Sequence, residues 1–201
     1  GYFKNQITPL ELTTRRKTVT FDNDEFIRPE TTTESLASLR AAFTKDGLVT
    51  AGNSSGINDG TASLVLANSA ALETHKVNPL ARIIAYGFGG VPPRIMGMGP
   101  VPASEMALER SGLSVDDLDL VESNEAFAAQ ACAVSRQLNL DPARVNPNGG
   151  AIALGHPVGA TGAIIMTKLI HELHRINGRY GMATMCIGGG QGISLVIDAK
   201  P

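Results

Sequence analysis

The sequence predicts an α/β layered domain, and three observations carry that expectation. From residue 80 onward β-type runs alternate with helical ones; the last two β-type runs, 182–187 and 193–197, meet through a glycine-rich turn; and polar or glycine-rich clusters follow or end the β-type runs. At 201 residues the chain can bury one good core or two small ones. Its 22 glycines and 4% aromatic residues point to tight turns and small-residue packing, without the period of a repeat protein.

Residues 1–30 alternate weakly around the charged turn Asp22-Asn23-Asp24-Glu25 and read as short strands with a thin core. Thr31 and Glu34 have capping-box spacing ahead of Leu36, Leu39 and Phe43, which predicts a short helix ending at Gly47. Residues 52–60 form a loop, and 62–67, small and apolar throughout, fit either a helix or a buried strand. Residues 80–88 are β-type and end at Gly87, and 103–111 form a helix after Pro100 and Pro102 and before Gly112. A strand at 118–121 runs into Glu122-Ser123-Asn124-Glu125 and then a helix at 126–138. Val145 leads into a glycine-rich loop, followed by a long helix at 158–176. Ile165, Leu169, Leu173 and Ile176 share one face of it while Ile164, Met166 and Ile170 cover much of the rest, so burial on several sides is expected.

A net charge of -2 without charge blocks excludes a basic nucleic-acid face. No apolar run approaches the ~20 residues of a membrane span, and no secretory leader pattern opens the chain. Two cysteines, Cys132 and Cys186, cannot build a disulfide framework. These features are the expectation of a soluble, cytoplasmic protein in a reducing compartment.

His156, between Gly155 and Pro157 and just before a helix, suits a general base or an oxyanion donor; a solvated or structural loop histidine fits the same pattern. Cys186 ends an apolar strand ahead of Gly188, whose bare backbone lets N–H groups approach a ligand oxygen. That thiol reads as nucleophile, base or small buried hydrophobe. Asn124 can orient a water or cap the next helix. Cys132, among Ala128, Ala129, Ala131 and Ala133, is assigned to packing. Gly150 and Gly155 have P-loop spacing, but His156-Pro157 stands where Lys and Ser or Thr belong. His171-Glu172-Leu173-His174 is one residue short of HExxH, so neither a nucleotide nor a metal site is expected.

Taken together, Asn124-Glu125-Ala126-Phe127, then Asn146-x-Asn148-Gly149-Gly150-Ala151-Ile152-Ala153-x-Gly155-His156-Pro157-x-Gly159-Ala160, then Cys186-Ile187-Gly188-Gly189-Gly190-x-Gly192, resemble the C-terminal signatures of the thiolases. Residues 47–60 and 92–108 are similar to the acetyl-CoA acetyltransferase branch. The resemblance implies the C-terminal half of a thiolase-like layered αβαβα fold with part of the loop domain. Residues 1–55 would end the CoA-binding loop domain, 56–81 close the N-terminal core domain, and 82–201 form the C-terminal core domain.

The same resemblance implies acyl transfer between acetyl-CoA and acetoacetyl-CoA through an acyl-cysteine, with coenzyme A as substrate and no permanently bound cofactor. His156 would activate the nucleophile and, with a water held by Asn124, stabilise an oxyanion. Cys186 would move the α-proton, and Gly188 would lend its N–H to a second oxyanion hole. Ser55, Ala51 and Arg28 would lie along CoA, with Met96 and Phe127 lining the acyl pocket. The nucleophilic cysteine of such enzymes lies in an N-terminal half that has no counterpart here. A fragment or split subunit, inactive alone and completed by a complementary chain, is therefore expected, with a homotetramer or homodimer as the whole. A non-catalytic acyl-CoA-binding or scaffold domain is the alternative, and a ketoacyl-synthase-like condensing enzyme is disfavoured by the Cys186 cluster.

Overall fold

A computed structural model describes residues 1–4 and 6–201. The N-terminal third carries little packed structure. A two-stranded antiparallel hairpin, β1 (Leu10–Thr13) and β2 (Thr18–Phe21), is exposed along its whole length, as the thin alternation of residues 1–30 anticipates. Helix α1 (Thr33–Ala37) is shorter than expected and starts one residue later. Its box is closed by Thr32 and Ser35: the Ser35 N–H donates to Thr32 Oγ1 at 3.2 Å, and the Thr32 N–H donates to Ser35 Oγ at 3.0 Å. The helix buries no residue, and without an apolar face to pack nothing extends it toward Gly47.

Residues 62–67 form neither the helix nor the buried strand that their composition allows. Val65 and Leu66 stand 95% and 77% exposed, and small apolar residues gain order only against a second surface. Helix α2 (Ser69–His75) follows, capped by Asn68 through the Ala71 N–H, and was not anticipated.

The packed body is a three-layer α/β/α sandwich around a mixed four-stranded sheet. Its order is β3 (Arg82–Gly90), β6 (Gln191–Asp198), β5 (Tyr180–Ile187) and β4 (Leu120–Ser123). Only the β4–β5 pair is parallel; β5 and β6 form the terminal hairpin expected from their glycine-rich turn. On one face lies α3 (Pro100–Ser111), with Val101, Ala107 and Leu108 in a core shared with Val134, Leu138, Met182 and Val196. The prolines expected to precede α3 stand in its first turn, where their missing N–H costs nothing. A Cβ on Gly87 would lie 2.1 Å from the Ala103 carbonyl oxygen, so close seating of α3 on β3 requires glycine there.

Helix α4 (Ala128–Gln137) buries Gln130 and Val134 at helical spacing. Cys132, two residues from each and thus on the far side of the turn, is exposed, which corrects its assignment to packing. The connection between α4 and the next long helix contains one unexpected turn of helix, α5 (Ala151–Leu154).

Helix α6 (Thr161–Ile176) covers the opposite face of the sheet. Ile165, Leu169 and Leu173 pack with Leu120, Ala183 and Ile197, whereas Ile176, expected on that face, is exposed near the helix end. Ile164 and Ile170 are half-buried, so the helix is dry on one side rather than several. β4 ends at Ser123, which pairs with Thr184, while β5 runs on to Ile187, so Asn124 and Cys186 lie just beyond that last parallel pair. Among the described residues no helix is long and apolar enough to cross a membrane.

Candidate active site

His156 is held from both sides. Its backbone N–H donates to the Gly56 carbonyl at 3.1 Å and to Asn58 Oδ1 at 3.2 Å, which places the loop predicted at 52–60 against the histidine loop. Gly155 is what lets them meet: its φ is +94°, and a Cβ there would stand 2.5 Å from Asn58 Oδ1. Gly155→Ala is accordingly expected to cost about 1–3 kcal/mol of stability from backbone strain, measured by chemical denaturation, and to loosen His156 as Asn58 moves. A variant with unchanged stability would remove that account.

The imidazole lies between two side chains. Nδ1 is 2.6 Å from Thr161 Oγ1, the first residue of α6, and Thr161 Oγ1 donates its own hydrogen to the Pro157 carbonyl at 2.9 Å. With its hydrogen on that carbonyl the hydroxyl accepts from the ring, the assignment that puts the proton on Nδ1 and leaves Nε2 as a lone pair. Facing Nε2 at 3.4 Å is the Asn124 amide nitrogen, a donor. Burial holds the imidazole below its ordinary pKa of 6.5, so at neutral pH Nε2 is free to take a proton. These are the requirements for a general base.

Asn124 is fixed by its position in the sheet, its N–H donating to the Thr184 carbonyl at 2.9 Å, which continues the β4–β5 ladder by one residue. The expected N-cap role is not observed: α4 begins after Phe127, and no side chain caps it. Asn146 supports the same strand end by mimicking a neighbouring strand. Its amide accepts from the Ser123 N–H at 2.9 Å and donates to the Ser123 carbonyl at 2.7 Å. Glu125 Oε2 accepts from the Ile152 N–H at 3.2 Å and so joins the strand end to α5.

Cys186 lies two residues beyond Thr184 on β5, buried. Burial pushes its thiol above the ordinary 9.0, its own backbone hydrogen bond only partly opposing this, so the thiol is protonated at neutral pH. Such a group serves as a proton carrier rather than as a resting nucleophile. Gly188, in the turn after β5, is exposed and has no atom within 4 Å of where a Cβ would stand, leaving its backbone approachable.

Of the residues expected along a ligand, Ser55 comes nearest the cluster: its N–H and its Oγ both donate to the Ala126 carbonyl, at 3.1 and 3.2 Å. Phe127, half-buried, opens α4, and Met96, also half-buried, lies in a 3-10 turn whose Gly97 abuts Gln130 of α4. Arg28 and Ala51 are exposed. Sequence reasoning missed Thr161, Asn58 and Asn146. Thr161 had the one readable signal, a hydroxyl residue five positions after His156 at a helix start. Among the described residues no three His, Cys, Asp or Glu side chains converge to hold a metal ion.

Comparison with known proteins puts names to this geometry. Residues 77–199 match the model of the thiolase C-terminal domain, and residues 1–70 match that of the thiolase N-terminal domain. The chain is 56% identical to beta-ketothiolase BktB of Cupriavidus necator and 54% identical to acetyl-CoA acetyltransferase of Escherichia coli, in each case over 98% of this chain and 50% of that protein. It superposes on the acetyl-CoA acetyltransferase of Bacillus anthracis with a TM-score of 0.92 at 51% identity, over 98% of this chain and 50% of that one. It superposes on human mitochondrial 3-ketoacyl-CoA thiolase in complex with CoA at 0.87 and 47%, over 98% and 49%. The chain thus spans about half the length of the relatives it matches. Family models over both portions of the chain, together with relatives above half identity, establish that it belongs to the thiolase family.

Proposed function

We propose that this chain supplies the base and oxyanion half of a thiolase active site, interconverting two acetyl-CoA with acetoacetyl-CoA and CoA. The observation that carries this reading is the seating of the His156 ring between Thr161 and Asn124: with Nδ1–H on Thr161, Nε2 is open as a base beside the Asn124 amide. In thiolysis an enzyme cysteine thiolate attacks the ketone carbon of acetoacetyl-CoA, and the carbon–carbon bond then breaks to give an acyl-enzyme and the enolate of acetyl-CoA. Cys186 gives that enolate its proton. His156, after passing the cysteine's proton to the Cys186 thiolate left behind, removes the proton from an incoming CoA thiol, whose sulfur takes the acyl group as the enzyme cysteine leaves. Once protonated, Nε2 becomes a donor to one oxyanion, together with a water held by Asn124, and the Gly188 N–H serves a second oxyanion hole.

The nucleophile comes from residues outside this chain. Cys132 is exposed on α4, and the hydrogen-bond partners of the His156 ring are Asn124 and Thr161. Residues 1–55 act as the end of the CoA-binding loop domain, with Arg28, Ala51 and Ser55 toward CoA, residues 56–81 close the N-terminal core, and residues 82–201 are the C-terminal core with Met96 and Phe127 at the acyl pocket. Val65, Leu66 and Ile57, the last 93% exposed, are large apolar side chains left uncovered, which suits a complementary half. The acetyl-CoA branch is supported by relatives named acetyl-CoA acetyltransferase, and two free cysteines fit a reducing compartment such as the cytoplasm.

The test is CoA-dependent cleavage of acetoacetyl-CoA by the chain alone and by the chain co-expressed with an N-terminal thiolase half, the assembled enzyme. Turnover is expected only from the assembly. Turnover by the chain alone would place the nucleophile within it, and a folded but inert assembly would favour the binding-module alternative. In the assembly the pH profile of kcat should fall on both sides. As pH drops through the lowered pKa of His156, below 6.5, the base is lost to protonation. As pH rises through the raised pKa of Cys186, above 9.0, the proton donor is lost. A profile flat from 5 to 10 would contradict both assignments.

A further inference from the structure

Behind Asn124 and His156 lies a cavity of about 80 Å³ whose walls include Glu122, Ser123, Asn124, Thr161 and Lys168. It contains an ion pair that core packing does not call for. The Lys168 ammonium is 2.7 Å from Glu122 Oε2, with the two side chains 14% and 1% exposed. Bringing two charges out of water costs several kcal/mol per ion, and apolar residues of similar volume in such places are often neutral or stabilising. The pair therefore has to be explained by what it holds.

Lys168 also donates to the Gly149 carbonyl at 2.7 Å. One ammonium thus joins β4, which presents Asn124 two residues after Glu122; the loop that carries His156; and α6, whose first residue, Thr161, fixes the His156 tautomer. Glu122 Oε1, Ser123 Oγ and Asn124 Oδ1 are buried without a hydrogen-bond partner among the described residues, and all three residues line the cavity. Two of these atoms are acceptors and the third belongs to a hydroxyl. Side chains along β4 alternate between the two faces of the sheet, Leu120 packing with α6 and Val121 with α3, so Glu122 and Asn124 share the α6 face and Ser123 Oγ points to the other; a single water meets the two shared demands, donating to Glu122 Oε1 and to Asn124 Oδ1. This water lies on the far side of the Asn124 amide from His156. It would lock Oδ1 inward, which keeps the amide NH₂ toward the Nε2 lone pair; a flipped amide would set oxygen against that lone pair.

We propose that Glu122 and Lys168 are positioning residues for the acyl transfer, Lys168 through the Gly149 carbonyl and Glu122 through one buried water shared with Asn124. The proposal rests on the base role of His156 given above. Burial pushes the Glu122 carboxyl upward while Lys168 draws it down, so its ionised form depends on the partner.

The decisive variant is the double substitution Glu122→Leu with Lys168→Met in the assembled enzyme, which replaces the pair by apolar bulk. A merely structural pair would leave kcat intact. A positioning pair predicts a melt close to that of the unsubstituted enzyme and a kcat lower by about ten- to a hundredfold, with KM for acetoacetyl-CoA within about twofold. The ¹⁵N signals of the His156 ring should shift as its tautomer and partners loosen. A folded double variant with unchanged kcat and ring signals would overturn the proposal. Should that variant not fold, a high-resolution crystal structure of the unsubstituted assembly decides: a water bonded to both Glu122 and Asn124 sustains the proposal, and a dry cavity overturns it. If the unsubstituted assembly is inert, the acyl-transfer reading fails, while the ring signals and the water still decide this one.

Discussion

Replacing His156 by asparagine in the assembled enzyme is expected to lower kcat for acetoacetyl-CoA thiolysis by about 10²- to 10⁴-fold, the usual worth of a positioned base. KM should change little, because the ring contacts thiols and a developing oxyanion rather than the bulk of CoA. The structure makes this substitution informative. The His156 backbone bonds to Gly56 and Asn58 do not involve the ring, so asparagine can keep the loop while Nε2 disappears. Both half-reactions need the base: formation of the acyl-enzyme, where it activates the cysteine, and its discharge, where it activates CoA. Stopped-flow measurement of each should therefore show both slowed, and alkylation of the nucleophilic cysteine by iodoacetamide at pH 7 should slow in parallel. A variant that loses only one half-reaction would show that His156 is not the shared base.

How much of this site the sequence discloses differs from residue to residue. His156, Asn124, Cys186 and Gly188 were legible because they sit in dense local strings that end β-type runs, and topology then gathers strand ends. Local reasoning alone left His156 and Cys186 open between catalytic and structural roles; their joint pattern with Asn124 and Gly188 decided in favour of an active site. Asn58 and Lys168 were not legible, and Thr161 only as a hydroxyl at a helix start, for a physical reason. Each acts through a contact whose partner is fixed by the fold, such as the Nδ1 bond from Thr161 or the backbone bond to Asn58 across 98 residues. Periodicity along the chain carries no information about such pairs.

The fold divides the same way. In the C-terminal 120 residues or so, each helix and strand buries a face, and the expected elements are found with shifts of a few residues. β4 and the β5–β6 hairpin are set by apolar pattern and glycine, α3 by its prolines and Gly112. Toward the N-terminus the expectation for 62–67 failed because apolar composition states that a segment wants burial without saying what will bury it. Val65 shows the result. The Cys132 assignment failed differently: alanine neighbours suggest packing, but only the phase of Gln130 and Val134 says which side of α4 faces inward.

Cys186→Ala in the assembled enzyme is expected to separate the two cysteine roles. Removing the group that moves the α-proton should lower both condensation and thiolysis by about 10²- to 10⁴-fold. Exchange of the acetyl group between acetyl-CoA and free CoA requires only the nucleophile and His156, and should be retained within about tenfold. The raised thiol pKa argues for this division: a thiol kept neutral by burial carries a proton well but rests as a poor nucleophile. Alanine fits the space, since it is the smaller side chain and the residue paired with Cys186 across the hairpin is Gly192. The thermal transition should move little. Hydrogen–deuterium exchange at the methyl of bound acetyl-CoA, followed by NMR, reads the α-proton step directly and should vanish in the variant while acetyl exchange continues. If acetyl exchange collapses together with condensation, and trapped acetyl-enzyme maps to residue 186 in the unsubstituted protein, Cys186 is the nucleophile and the chain carries both halves of the chemistry.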